Sequence, residues 1–205
     1  QGKYKKQSGG HGQYGDVKME FEPLYNLEKD YVFEEKVFGG AIPKNYFPAI
    51  EKGIAESCLK GVLGGYPVVG VKATLLDGSY HSVDSSEMAF KMAAMTAFKN
   101  GIVNAGPVLL EPIVQLTIVV PEIFTGDIMG DLNKKRGKVS GMNSVENNKQ
   151  EIIAEIPMAS VIGYSTVLRS ITGGAGEYAY EFIRYQQMPE EIQDKLLSKM
   201  KEKSE

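Results

Sequence analysis

The chain has no tryptophan, one cysteine and two histidines in 205 residues. Its single cysteine, Cys58, sits in an apolar stretch, which excludes a disulfide framework and favours a reducing setting. One cysteine and two histidines are also too few for a zinc site. No run approaches the roughly 18 apolar residues that a membrane helix needs. The opening segment, Gln1 to Gln7, has lysines but no apolar stretch behind them, so it does not read as a secretory signal. Neither sign of charge dominates: 23 basic against 26 acidic residues leave a net charge of -3. A general polyanion binder is strongly basic, so any contact with nucleic acid has to be local and guided by shape. Nucleotide-hydrolysis machinery is missing too. Gly130 to Val139 has the wrong spacing for a phosphate loop and no Ser or Thr after Lys138. Gly173 to Gly176 falls between a predicted helix and a predicted strand, the reverse of the required order. No Gly-x-Ser-x-Gly elbow occurs.

A hydrophobic content of 42% with 24% charged residues is ordinary for a globular protein, and the length can support two modest cores. The sequence does not begin with Met and opens onto a strand-like segment, which reads as a piece of a longer protein or a processed product. Alternation of Val17, Met19 and Phe21 with Lys18, Glu20 and Glu22 predicts a half-buried strand. A second strand is expected over 31–37, and a helix over 48–59 with Ile50, Ile54 and Cys58 one turn apart. Val69 to Leu76 predicts a third strand. Asp84, with Glu87 three residues on, reads as the N-cap of a helix over 85–100 that is apolar nearly all round and therefore buried.

Gly106-Pro107 and Glu111-Pro112 mark the expected boundary, with one domain over 1–112 and another over 113–205. In the second, the pattern is a strand at 114–120, a helix capped by Thr125, strands at 138–142 and 151–156, a helix at 159–171 and a strand at 177–185. That order, βαββαβ, is the ferredoxin-like split. Tyr178, Tyr180 and Phe182 of its last strand are read as core. An amphipathic terminal helix is expected over 189–204.

Both histidines lie in short Gly/Ser-rich loops, Ser8-Gly9-Gly10-His11-Gly12-Gln13-Tyr14-Gly15 and Asp77 to Ser86. Each loop follows or precedes a predicted strand, so each is a tip presented by a scaffold. Bare backbone, hydroxyls, an amide and an imidazole can approach a polar polymer without fixed charge. Glycines permit close approach, and Gln or His can bond to base edges or ribose hydroxyls. If the loops lie side by side, Lys5, Lys6, His11, Gln13, Tyr14 and His81 form one contact surface. Two other readings stand beside this one. His81 with Asp84 could serve as base and orienter of a hydrolase, with Ser79, Ser82, Ser85 and Ser86 as nearby hydroxyls. The loops could also belong to a plain interaction module. In the second half, Lys134, Lys135 and Arg136 close a helix, where cations complement the dipole and could also meet phosphates.

Longer words run through the chain in a fixed order: Gln7 to Gly15, Gly39-Gly40-Ala41-Ile42-Pro43-Lys44-Asn45-Tyr46-Phe47-Pro48, Gly65 to Val69, Gly78 to Glu87, Pro107 to Pro112, Gly126 to Leu132, Arg136-Gly137 and Leu168 to Thr172. Essentially the whole chain thereby resembles the C-terminal part of bacterial elongation factor G. The resemblance implies an α+β fold, with a ribosomal protein S5 domain 2-like domain followed by a ferredoxin-like sandwich. It further implies a cytoplasmic, monomeric, membrane-free partner of the ribosome whose GTPase domain, with GTP and Mg, lies N-terminal to these residues. This part is then not itself an enzyme and holds no cofactor or metal. In such factors the tip loops, matching Ser8, Gly9, Gly10, His11, Gly12, Gln13 and Tyr14 with Ser79, Tyr80, His81 and Ser82, contact tRNA, mRNA and 16S rRNA in the decoding site. The other domain leans on 23S rRNA, a role that falls to Lys134, Lys135 and Arg136. His11 stands where the family usually has Arg, and Ser82 where it often has an acid. Both features are similar to elongation factor G-like paralogues, so translocase and paralogue acting in ribosome recycling are both implied readings.

Overall fold

The computed structural model describes residues 1–7, 10, 12–25 and 30–202. The chain divides into two compact units, Gln1–Val108 together with Asp194–Glu205, and Leu109–Gln193. The division falls at Val108, short of the expected residue 112. The residues from Asp194 onward group with the first unit, whereas the sequence pattern assigned them to the second.

The first unit contains β1 (Gly2–Lys6), β2 (Gln13–Pro23), β3 (Tyr31–Glu35), α1 (Phe47–Lys60), β4 (Val71–Ser79) and α2 (Glu87–Asn104). Its sheet runs β1-β2-β4-β3. β1 pairs with β2 and β2 with β4 antiparallel, while β3 and β4 are parallel. A parallel neighbour requires a crossover, which α1 supplies. Ile50, Ile54 and Cys58 of α1 are buried as their spacing predicts, and they share a core with Val17, Val71, Ala73, Leu75, Phe90 and Phe98.

α2 buries Ala89, Ala93 and Ala97 in one row, and these small side chains let the sheet come unusually close. A Cβ on Gly2 would lie 2.0 Å from the Ala93 carbonyl oxygen, and one on Gly15 would lie 2.6 Å from that of Ala89. The helix is longer than its pattern predicts, ending at Asn104, and it is not covered all round: Met88 and Val103 are exposed. Its N-cap is also not the predicted one. Ser86, in extended conformation, accepts the Ala89 N–H at 3.1 Å. Ser is as good a cap as Asp, and the chain enters the helix two residues later than Asp84, which leaves that carboxylate free for another partner.

The second unit contains β5 (Leu110–Pro121), α3 (Thr125–Lys134), β6 (Lys138–Val145), β7 (Lys149–Pro157), α4 (Tyr164–Thr172) and β8 (Glu177–Gln187), with α5 (Glu190–Glu202) beginning after it. The sheet order is β6-β7-β5-β8, with every pair antiparallel. This is the ferredoxin-like arrangement that the βαββαβ order implies. Val114, Leu116, Ile118 and Val120 of β5 pack with Ile152, Ala154 and Ile156 of β7 against Ile128, Leu132, Tyr164 and Leu168. β6 and β7 run further into the polar turn than expected. The turn closes on Asn147 and Asn148, at φ of 65° and 53°, a conformation asparagine tolerates better than most side chains.

Three expectations are corrected here. The N-terminal end of α3 has no side-chain cap, and Thr125 lies inside the helix. The predicted 159–171 helix is a short 3-10 turn (Met158–Ser160) followed by α4. In β8 only Tyr178 joins the core, its ring edge-on to Tyr164 at 5.4 Å. Tyr180 and Phe182 are about half exposed. They lie opposite buried Leu116 and Val114, but on β8, an edge strand with a neighbour on one side only.

Candidate nucleic-acid interface

The antiparallel pairing of β2 with β4 sets Asp16 opposite Ser79. The start of β2 and the end of β4 therefore meet at one end of the sheet, and the loops that carry the two predicted tips emerge together. Ser8, Gly9 and His11 lie outside the described residues. Gly10, Gln13, Tyr80, His81 and Ser82 are exposed, and Gly12, Tyr14 and Ser79 are half-buried.

Hydrogen bonds join the loops directly. The Tyr14 N–H donates to the Asp84 carbonyl at 2.8 Å, and Ser85 Oγ donates to the Tyr14 carbonyl at 2.9 Å. The Gly12 N–H donates to Asp84 Oδ1 at 3.0 Å. Tyr14 OH and Ser79 Oγ are 2.7 Å apart, Ser79 Oγ donates to Asp16 Oδ2 at 3.1 Å, and Gln1 Nε2 donates to Asp16 Oδ1 at 2.8 Å. Asp16 is buried, so these two donors compensate a carboxylate that would otherwise be costly to remove from water. The Tyr14 ring lies 6.5 Å from the His81 ring, and Lys3 Nζ sits 5.4 Å over its face.

His81 is held by its own backbone. Its N–H donates to Ser85 Oγ at 2.9 Å, and its Nδ1 accepts the N–H groups of Val83 and Asp84 at 3.3 and 3.2 Å. A ring nitrogen that accepts two amides carries its lone pair there, so in the neutral ring Nε2 bears the proton. Nδ1 also lies 3.5 Å from Asp84 Oδ2. Alongside, β1 sets Lys5 opposite Tyr14 and Lys6 opposite Gln13, and both lysines are exposed. Among the described residues the result is an exposed end with the His81 imidazole, the Gln13 amide and several hydroxyls, flanked by a lysine-bearing edge strand.

Of the residues in the hydrolase reading, His81 and Asp84 lie together, and most have partners within the fold. Asp84 binds Gly12, and Nδ1 is occupied by amides. The hydroxyls of Ser79, Ser85 and Ser86 are committed to Asp16, Tyr14 and the α2 cap. Among the described residues no group of three or more His, Cys, Asp or Glu side chains could hold a metal ion. Among them, too, no helix is long and apolar enough to cross a membrane.

The basic cluster of the second unit is largely spent within the fold. Lys135 pairs with Asp131 and lies 5.7 Å over the Tyr164 ring. Arg136 grips the buried Glu111 with both terminal nitrogens, NH1 at 3.0 Å. Lys134 alone of the three is exposed. It borders an open cleft of about 680 Å³ between α3 and α4, lined also by Gly126, Gly130, Thr166 and Ser170. Sequence reasoning had a signal for one of these pairs, the i,i+4 spacing of Asp131 and Lys135. It had none for Glu111 with Arg136.

Residues 1–106 match the family model for elongation factor G, domain IV, and residues 108–196 match that for the elongation factor G C-terminus. Among solved structures, the crystal structure of ttk003000868 from Thermus thermophilus is similar, at 46% identity and a TM-score of 0.82, over 98% of this chain. This chain spans 30% of that protein's length. Two adjoining family matches that together take in nearly every residue, with the two-unit fold that both imply, lead to one conclusion: the chain belongs to the elongation factor G family of translational GTPases, in the part made of domain IV and the C-terminal domain.

Proposed function

We propose that this chain is the ribosome-engaging part of a translocation factor, and that its joined loops enter the decoding site of the small subunit. There Gly10, Gly12, Gln13, Tyr14, Ser79, Tyr80, His81 and Ser82, with Ser8, Gly9 and His11 of the same loop, contact tRNA, mRNA and 16S rRNA. The observation that carries this reading is the hydrogen bonding of Tyr14 to Asp84 and Ser85, which joins the two loops and leaves Gln13, Tyr80, His81 and Ser82 exposed. The physical role is a wedge. GTP, with Mg, is hydrolysed in N-terminal domains of the parent protein, and these residues take no part in the chemistry. A body that contacts the ribosome better after the codon–anticodon duplex has moved favours that state and opposes return. Few fixed charges at the tip and a net charge of -3 suit a cytoplasmic monomer that must also leave, because phosphate contacts dominate affinity for RNA. On the second unit, Lys134 is the cation available to 23S rRNA, since Lys135 and Arg136 already have partners.

The test is His81→Ala and Gln13→Ala in the full-length factor. Stopped-flow mRNA movement should slow several-fold while ribosome-stimulated GTP hydrolysis persists; unchanged translocation would remove the tip from the mechanism. A second reading, a paralogue acting in ribosome recycling, is favoured by His11 and Ser82 at positions where the family usually carries Arg and often an acid. It predicts disassembly of post-termination ribosomes without translocation.

A further inference from the structure

We propose that Asp84 is the positioning residue of the tip: its carboxylate latches the first loop to the second, while backbone amides beside it turn His81 outward as a hydrogen-bond donor. Three observations combine. Asp84 Oδ1 takes the Gly12 N–H at 3.0 Å, a contact between residues 72 positions apart and one of the strong, charge-assisted kind. The fit is tight, since a Cβ on Gly12 would lie 3.0 Å from the Asp84 carboxyl carbon. The same carboxylate stands 3.5 Å from His81 Nδ1, which the amides of Val83 and Asp84 already occupy.

The consequence is chemical. With Nδ1 turned inward as an acceptor, the outward nitrogen is Nε2–H, so the neutral ring offers a donor and no acceptor. The group it meets must then be an acceptor: a phosphate, ribose or carbonyl oxygen, or a ring nitrogen of a base. That part rests on the proposed engagement of RNA; the latch itself does not. The Asp84 carboxylate touches no substrate in this scheme and acts through Gly12, and the Asp84 backbone N–H acts on His81.

The latch is tested on the chain itself by amide hydrogen exchange. In Asp84→Ala the Gly12 amide should exchange about tenfold faster, the loss expected for one hydrogen bond of this kind. The amides of Ala93 and Phe98 in α2 should keep their rates. Asp84→Asn should restore protection at Gly12, because its amide oxygen still accepts. Equal Gly12 exchange in all three proteins overturns the latch, and so does an acceleration shared by α2, which would mean general loss of fold. Long-range 1H–15N spectra of the neutral ring should show the proton of His81 on Nε2; a proton on Nδ1 overturns the donor assignment. Co-sedimentation with ribosomes separates the two readings. If Asp84→Ala frees Gly12 yet sediments as the parent chain does, the latch stands and the RNA-contact role of the tip fails.

Discussion

Gly15 of β2 faces the Ala89 carbonyl of α2 with no space for a side chain: a Cβ would lie 2.6 Å from that oxygen and 2.9 Å from the Phe90 nitrogen. Both neighbours are backbone and cannot rotate away. Gly15→Ala should therefore cost about 2–3 kcal/mol, the range for overpacking that forces a backbone shift. Tyr14, the next residue, carries the bonds to Asp84, Ser85 and Ser79. The substitution should thus also shift the Tyr14 and His81 resonances. Urea denaturation measures the first effect and NMR the second; a stability equal to that of the parent chain would refute the close packing.

Glu111 and Arg136 form the pair that anchors the end of α3. Glu111 is buried, Arg136 is about one-third exposed, and the arginine backbone sits at a φ of 63°. Arg136→Ala strands a buried carboxylate and should cost about 2 kcal/mol, less than the roughly 3–5 typical of fully buried pairs because the arginine is partly solvated. Arg136→Gly removes the same pair but relieves the left-handed strain, so it should be about 1 kcal/mol less harmful than Arg136→Ala. Chemical unfolding of both variants gives the comparison, and the reverse order would contradict it.

Burial pushes the Cys58 thiol up to about 11 from its ordinary 9.0, with Asp30 adding to the rise. The folded state then holds this proton more tightly than the unfolded chain. The associated stability is fully present below about pH 9 and is lost as pH rises toward 11. The loss should approach roughly 3 kcal/mol. Cys58→Ala should lower stability throughout, from the cavity it leaves, while flattening that alkaline decline in the first unit. A thiol-reactive dye at about pH 7.5 should label the folded chain far more slowly than the unfolded one, since the thiolate is the reactive form.

Much of the fold is legible in the residues because it rests on local periodicity. Ile50, Ile54 and Cys58 mark a helix face at one-turn spacing, and Val114, Leu116, Ile118 and Val120 mark a strand. Both fall where their patterns predict, and the βαββαβ order of the second unit follows from such segments. Where local rules offered two near-equal answers, they chose wrongly. Asp84 and Ser86 are equally good caps by residue type, and in the fold Ser86 caps while Asp84 binds Gly12. Tyr180 and Phe182 alternate as core residues do, yet they stand on an edge strand and are about half exposed. Edge position is a property of the sheet and is not written in any one strand.

The candidate site shows the same division. That two polar, glycine-rich loops carry the histidines is plain from the chain, because exposed tips need small and hydrogen-bonding residues. Their meeting is not, since it depends on Asp16 pairing with Ser79 and on Tyr14 reaching Asp84 and Ser85. Similarly, three consecutive cations at the end of α3 read as one basic patch. Contacts with Asp131 and with the distant Glu111 leave only Lys134 exposed.

By itself, then, the order of residues determined most element types and which loops carry polar tips, because these follow from composition and short-range spacing, while the family rests on longer motifs that run the length of the chain. Tertiary structure alone decided that Asp84 latches the loops while Ser86 caps, which cations are already paired, and which aromatics meet water. The decisive contacts, Gly12 with Asp84 and Glu111 with Arg136, join residues far apart in the chain, brought together only when strands pair and helices close over the sheet.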